Sequence, residues 1–192
     1  MLKTLALSLC LALGTSPVFA AAERYTLDSE HTTVAFLIEH VGYAKTLGQF
    51  SKVSGSFNYD VDTQEVSEVN IVVETNSVNS SNKARDKHVR SKDFLNVKKH
   101  PRMVFTAAGT TLTDNVGDIA GELQLLGQTK PLNLSVSLNK ADTYPFGHKK
   151  FTLGVSAKGE LQRSTYGMDY GVANGLVGDS IELIIEIEAM KK

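Results

Sequence analysis

An all-β fold, an eight-stranded antiparallel barrel, is what this chain predicts, and three observations carry the prediction. Short segments of alternating apolar and polar residues recur from Tyr25 onward, no long helical period appears, and turn signals separate the segments. Eight segments read as strands, near 31–40, 50–60, 66–77, 102–113, 116–127, 129–141, 150–163 and 179–189. Eight strands is the count that closes into a barrel able to hold one small ligand.

In chain order, residues 1–22 read as a secretory signal, with Lys3 as the positive start and Leu5 to Gly14 as the apolar middle. The small-residue cleavage site is Val18-Phe19-Ala20 or Ala20-Ala21-Ala22. An apolar run of roughly ten residues is half of the ~20 that cross a bilayer as a helix. It therefore predicts export and not anchoring, with residues 23–192 forming one mature domain. Cys10 falls inside the apolar run, so the mature chain lacks cysteine and depends on its core instead of on disulfides. Without Lys3 the 20 cationic side chains become 19 against 21 carboxylates, a formal charge of −2. That balance excludes nucleic acid as an expected partner, since phosphate binding calls for a basic surface.

The opening strand, Tyr25 to His40, alternates Val34, Phe36 and Ile38 with Ala35, Leu37 and Glu39. Both faces stay apolar until Glu39, which suits a sheet curled around something apolar or covered by a second layer. Hairpins follow from Asp60-Val61-Asp62-Thr63, from Asp114 to Asp118, and from a tight Gly127-Gln128 turn. Between the third and fourth strands, Asn82 to Leu95 is polar with Ala84, His88 or Val89, and Leu95 spaced for one apolar face. A short helix is expected there, capped by Ser81 or Asn82. Residues 167–178, GMDYGVANGLVG, are too rich in glycine for a regular strand and suit a mobile flap or a bulged crossing.

Catalytic chemistry finds few parts. The histidines at 31, 40, 88, 100 and 148 show no i,i+2 or i,i+4 pair, so no metal site is expected. The serines sit in no nucleophile elbow, and the paired aspartates fall in turns where their local backbone hydrogen bonds explain them. No phosphate loop and no cofactor motif is present, so the prediction is a protein that is not an enzyme and carries no cofactor.

Several fragments together resemble the YceI-like family of exported, lipocalin-like, polyisoprenoid-binding proteins. They are Tyr25-Thr26-Leu27-Asp28 with His31-Thr32-Thr33-Val34-Ala35-Phe36 and His40, Gly48-Gln49-Phe50 with Gly55, and Arg85-Asp86-Lys87-His88 leading to Phe94. Pro101 to Phe105, Gly121 to Gly127, Leu161-Gln162-Arg163 with Tyr166-Gly167-Met168, and Val177-Gly178-Asp179 complete the set in order. The resemblance implies a lipocalin-like barrel whose interior takes the tail of an isoprenoid or other long-chain lipid, in the periplasm, without covalent chemistry.

Ligand-binding candidates then follow residue by residue. Alternation sends Val34, Phe36, Ile38 and His40 inward, with His40 near the strand end where an imidazole could meet a head group or be satisfied at the rim. Phe50, Phe57, Phe105, Phe151, Tyr166 and Met168 are spread over other segments and either line a slot or fill a core. Arg163 is a candidate for steadying a head group, with an internal ion pair as the competing role. The basic run from Lys83 to Lys99 is either a solvated face or a surface for an anionic lipid, so a transient membrane-surface contact is among the expectations, as is a homodimer. The alternative to a lipid carrier is a stress-related structural or interaction protein with a filled barrel.

Overall fold

The computed structural model describes residues 22–192, so the export segment expected at 1–22 lies outside it apart from Ala22. Eleven strands build one sheet: β1 (Glu23–Leu27), β2 (Thr33–His40), β3 (Ala44–Phe50), β4 (Val53–Tyr59), β5 (Glu65–Glu74), β6 (Val78–Asn79), β7 (Arg102–Thr111), β8 (Val116–Leu125), β9 (Gln128–Thr143), β10 (Phe151–Gln162) and β11 (Val177–Lys191). Every pairing between them is antiparallel. The order β1-β4-β5-β7-β8-β9-β10-β11, with β11 pairing back onto β1, closes an eight-stranded barrel. Closure leaves this ring without a free edge.

The remaining three strands continue barrel strands across breaks. β2 prolongs β1 alongside β11, β3 runs into β4, and β6 follows β5 to pair with β3. Each break has a local cause. At 28–32 the Asp28 carboxylate accepts from the Glu30 amide at 3.0 Å and the Asp28 carbonyl accepts from the His31 amide at 3.2 Å, which turns the chain. A 3₁₀ turn, Thr75–Ser77, separates β5 from β6, and there Ser77 accepts from the Lys52 amide at 3.1 Å between β3 and β4. The sequence predicts no strand near 44–50 or 78–79, and it runs 23–27 and 33–40 together as one strand from Tyr25 to His40, which the Asp28 turn divides.

Helix α1 (Lys83–Val89) sits beside β6, where no ladder joins β6 to β7 among the described residues. Asn82 caps it, accepting from the Arg85 amide at 3.0 Å. The helix stops six residues short of Leu95. Ser91 accepts from the Asp93 amide at 3.2 Å, and Asn96, with φ of 44°, folds back onto the Ser91 carbonyl at 2.8 Å. Those side chains offer the backbone an alternative to helical bonding.

The β8–β9 turn also differs from expectation by one residue. Leu125 pairs with Gln128, so the central residues are Leu126 and Gly127, at φ 54° and 78°. Both must take positive φ in a two-residue turn of this hand, and glycine does so without strain. Asp60 behaves as its turn position predicts, accepting from the amides of Asp62 at 2.9 Å and Thr63 at 3.0 Å.

Candidate ligand cavity

Period-two alternation puts one side chain in two on the inner wall. On β9 these are Leu132, Leu134, Val136 and Leu138, on β10 Leu153, Val155, Ala157 and Leu161, and on β11 Ile181, Leu183, Ile185 and Ile187. The inner wall encloses a cavity of about 710 Å³, which lies inside the roughly 300–1,000 Å³ of small-molecule sites. A barrel plugged from end to end is not what these side chains build. Two glycines make the room: a Cβ on Gly48 would meet the Phe36 ring at 2.3 Å, and one on Gly121 would meet the Phe105 ring at 2.4 Å. The far end of each ring takes the space over the glycine that a Cβ would otherwise fill.

The two ends differ. At one, the wall ends in buried Tyr59, Val66 and Leu112, and Tyr25 stacks on Phe57 with ring centroids 6.0 Å apart. At the other, the wall ends in exposed His40, Val41, Tyr170 and Leu176. Glu39, Thr46, Ser80, Arg85 and His88 bring most of the polar groups of the wall to that same end. The hollow is thus closed and apolar below, open and polar above.

Of the residues singled out in the sequence, Val34, Phe36, Ile38, His40, Phe50, Phe57, Phe105 and Met168 stand on the cavity wall. The apolar face proposed for the helical segment is there too, with Ala84, His88, Val89 and Leu95 on the wall. Three candidates are not. Phe151 has the inward parity of β10 but lies at its closed-end start, paired with Thr143 and packed against the core. Tyr166 is buried in the 3₁₀ turn Arg163–Tyr166, where burial raises its hydroxyl above the ordinary tyrosine range.

Arg163 is the clearest correction. It is fully buried off the cavity wall, and its guanidinium donates to the carbonyls of Gly178 at 2.7 Å, Met168 at 2.6 Å, Tyr170 at 2.8 Å and Val177 at 2.9 Å. Four of its five N–H groups are thereby used on the backbone of 168–178. Burial lowers its pKa, opposed by the carboxylates of Asp179 and Asp169, and arginine remains charged regardless. Asp179 in turn accepts from the amide and hydroxyl of Ser164 at 2.8 and 2.7 Å. Of the two readings of the glycine-rich segment, a mobile flap or a bulged crossing, the structure favours the second: the segment is tied to the barrel, and the β11–β2 register shifts between Val177 and Ile181.

This clamp joins the mouth through aromatic contacts. The Arg163 guanidinium carbon lies 5.7 Å from the centre of the Phe94 ring, and Phe94, His88 and Tyr170 pack mutually with centroids 4.9–5.2 Å apart. All three rings line the cavity. From the other side, Asp86 accepts from the Ser80 amide at 2.8 Å and its hydroxyl at 2.5 Å. Burial works to raise the Asp86 carboxyl, and the hydrogen bonds from Ser80 together with the charges of Arg90 and Arg85 outweigh it, leaving the pKa lowered. Arg85 donates to the Ser80 hydroxyl and carbonyl, and Arg90 to the carbonyls of Asn76 and Val78. Two cations of the basic run thus staple α1 to β6.

Sequence reasoning missed the aliphatic wall of β8–β11 and the mouth residues Phe94 and Tyr170. The alternation that found Val34 and Phe36 would have found Ile119, Leu123 and Leu134 as well. It also missed a polar cluster outside the cavity. His31 Nδ1 lies 2.9 Å from an Asp28 oxygen and 3.8 Å from a Glu188 oxygen, brought together because the turn after β1 packs on β11. The hydrogen bond between them raises the His31 pKa and lowers that of Asp28.

A closed antiparallel barrel around an apolar, one-ended cavity defines a barrel binding protein. The chain belongs to the YceI-like family: the YceI-like domain matches residues 25–189. It is 34% identical over 195 residues, the full length of both chains, to a UPF0312 protein of Pectobacterium carotovorum, and 34% identical over 175 residues to Protein YceI of Salmonella arizonae, covering 90% of each. Among solved structures, a mutant YceI protein of Campylobacter jejuni, crystallised with a monobromobimane guest, matches with a TM-score of 0.73 at 27% identity, covering 81% of this chain and 90% of that one. A polyisoprenoid binding domain from Saccharophagus degradans shares the fold, with a TM-score of 0.65 at 14% identity and coverage of 88% and 98%.

Proposed function

We propose that this protein binds and carries a polyisoprenoid or similar long-chain amphiphile, tail inside the barrel and head group at the mouth, with no covalent step. The observation that carries the reading is the 710 Å³ apolar cavity with its polar groups gathered at one end. Magnitudes favour a long tail. Each buried methylene contributes about 0.8 kcal/mol, while association costs on the order of 4–15 kcal/mol in lost freedom. Micromolar binding needs a net gain of about 8 kcal/mol, so a tail of some twenty carbons is required and a short chain falls near break-even. At ~30 Å³ for a water or a group of similar size, the hollow has room for on the order of twenty. The fold shared with a polyisoprenoid binding domain supports the same ligand class.

Residues 1–22 have the form of a cleaved export signal, and the proposed site of action is the periplasm. Lipid extraction from gently purified mature protein, read by mass spectrometry, tests the carrier reading together with uptake of a fluorescent polyprenol. A stoichiometric long-chain species, or saturable one-to-one uptake, is expected. A clean extract from protein that also refuses the polyprenol would overturn it. Phe36→Asp places a carboxylate on the apolar wall and should abolish uptake in a variant whose circular dichroism is unchanged.

A further inference from the structure

We propose that the cavity mouth is a docking surface for an anionic lipid bilayer; this rests on the carrier reading above and adds where the cargo is exchanged. Four large apolar side chains stand exposed around the opening: Val41 at 40%, Tyr43 at 91%, Tyr170 at 43% and Leu176 at 42%. They form one rim. The Val41 amide donates to the Leu176 carbonyl at 3.1 Å, and the Tyr170 ring packs 4.9 Å from His88 on α1. Val41, Tyr170 and Leu176 also line the cavity, so the rim is continuous with the apolar interior. A tail leaving a bilayer seated here has an apolar path past Val41, Tyr170 and Leu176 into the hollow.

Charge at the rim points to the same occupant. Within the basic run, Arg85 and Arg90 are bound to the backbone of 76–80; outside it, Lys45 on β3 is paired with Glu182. Lys83 and Lys87, one helical turn apart on α1, are exposed and have no carboxylate within 4.0 Å among the described residues. Exposed Lys92 follows shortly after the helix, its neighbour Asp93 is paired with His88 at 3.2 Å, and the exposed carboxylates of Glu39 and Asp169 belong to other segments of the rim. Tyrosine with aliphatic neighbours suits the bilayer interface, and lysines beside them reach lipid phosphates while their stems stay in the headgroup layer. A stable protein partner requires roughly 20–30 residues a side. Four side chains around a hole do not provide that.

Flotation with vesicles separates docking from carriage. Mature protein is mixed with vesicles of phosphatidylcholine alone or with added phosphatidylglycerol, in roughly 0.1 M and 1 M salt, which changes the screening length from about 10 to about 3 Å. Binding is expected only with the anionic lipid and chiefly at low salt. Lys83→Gln with Lys87→Gln should weaken it on the order of tenfold, and Tyr43→Ser should weaken it severalfold, with polyprenol uptake from detergent unchanged in both. Wild-type protein that takes up polyprenol from detergent yet never floats would overturn the docking surface and leave carriage standing. So would a rim substitution that converts a dimer to a monomer by light scattering without altering flotation, because the rim would then be a contact between copies.

Discussion

The closed end and the mouth of this barrel share the long strands β10 and β11 and are held by different forces. At the closed end, Tyr25 packs against both Phe57 and Tyr59 and is only 1% exposed. Burial drives the hydroxyls of Tyr25 and Tyr59 above their ordinary range, with the nearby Glu23 carboxylate adding to the effect on Tyr25. At the mouth there is nothing in the centre to pack against, since the centre is the cavity. Order there comes from polar groups that bind the backbone: buried Arg163 on 168–178, and buried Asp86 with the more exposed Arg85 and Arg90 on 76–80. A hollow fold forgoes core packing where it is hollow, and directional hydrogen bonds replace it.

The contrast predicts separable failures. Tyr25→Ala, which empties a packed aromatic site, should lower global stability by about 3–5 kcal/mol in urea unfolding, with the exchange of mouth amides rising only in parallel. Arg163→Met keeps much of the side-chain volume and strands four carbonyl acceptors, for a loss of about 2–4 kcal/mol. Its signature is local: amides of 168–178 should exchange by opening of that segment alone. Arg163→Lys should rescue little, because one ammonium cannot reproduce the planar fork. If both positions proved purely global, the division between the two ends would be wrong.

A third variant acts on the cavity between them. A side chain at Gly48 must displace the Phe36 ring, and the free space lies inward. Gly48→Val should cost about 1–3 kcal/mol as overpacking and reduce polyprenol uptake far more than a polar rim substitution does. Retained uptake would mean that the ring moves some other way.

The smallest effect concerns the turn that joins β1 to β2. His31 has its pKa raised above 6.5, so its contribution is complete below 6.5 and fades as pH rises through the folded value. Asp28 is lowered below 3.8, so its contribution is complete above 3.8 and fades as pH falls through its own folded value. The pair therefore helps most between about pH 4 and 6.5. Both groups meet solvent and the gain is small; His31→Asn should lower stability slightly within that window and remove the decline that the wild type shows as pH rises above it, measured by thermal unfolding across pH.

How far the sequence reached follows from the same contrast. Alternation is a property of single strands, so it found the barrel, the inward face of β2 and the helix at the mouth. It does not report height along the barrel axis, which is why Phe151 has the right parity and the wrong place. The role of Arg163 is hidden from sequence for a deeper reason. Its partners are backbone carbonyls, which every residue carries and no sequence pattern marks. The cluster of Asp28, His31 and Glu188 was likewise hidden, since the closure of β11 onto β1 brings its members together.

Methyl resonances of the isoleucine, leucine and valine side chains, followed as polyprenol is added to the delipidated mature protein, test the central claim most directly. Deep wall residues such as Val66, Leu112, Ile119 and Leu138 should shift in slow exchange and saturate at one ligand per chain, together with Ile38 nearer the mouth. Shifts confined to outward-facing methyls such as Leu37 and Leu47, with the deep set unmoved at saturation, would contradict a tail held inside the barrel.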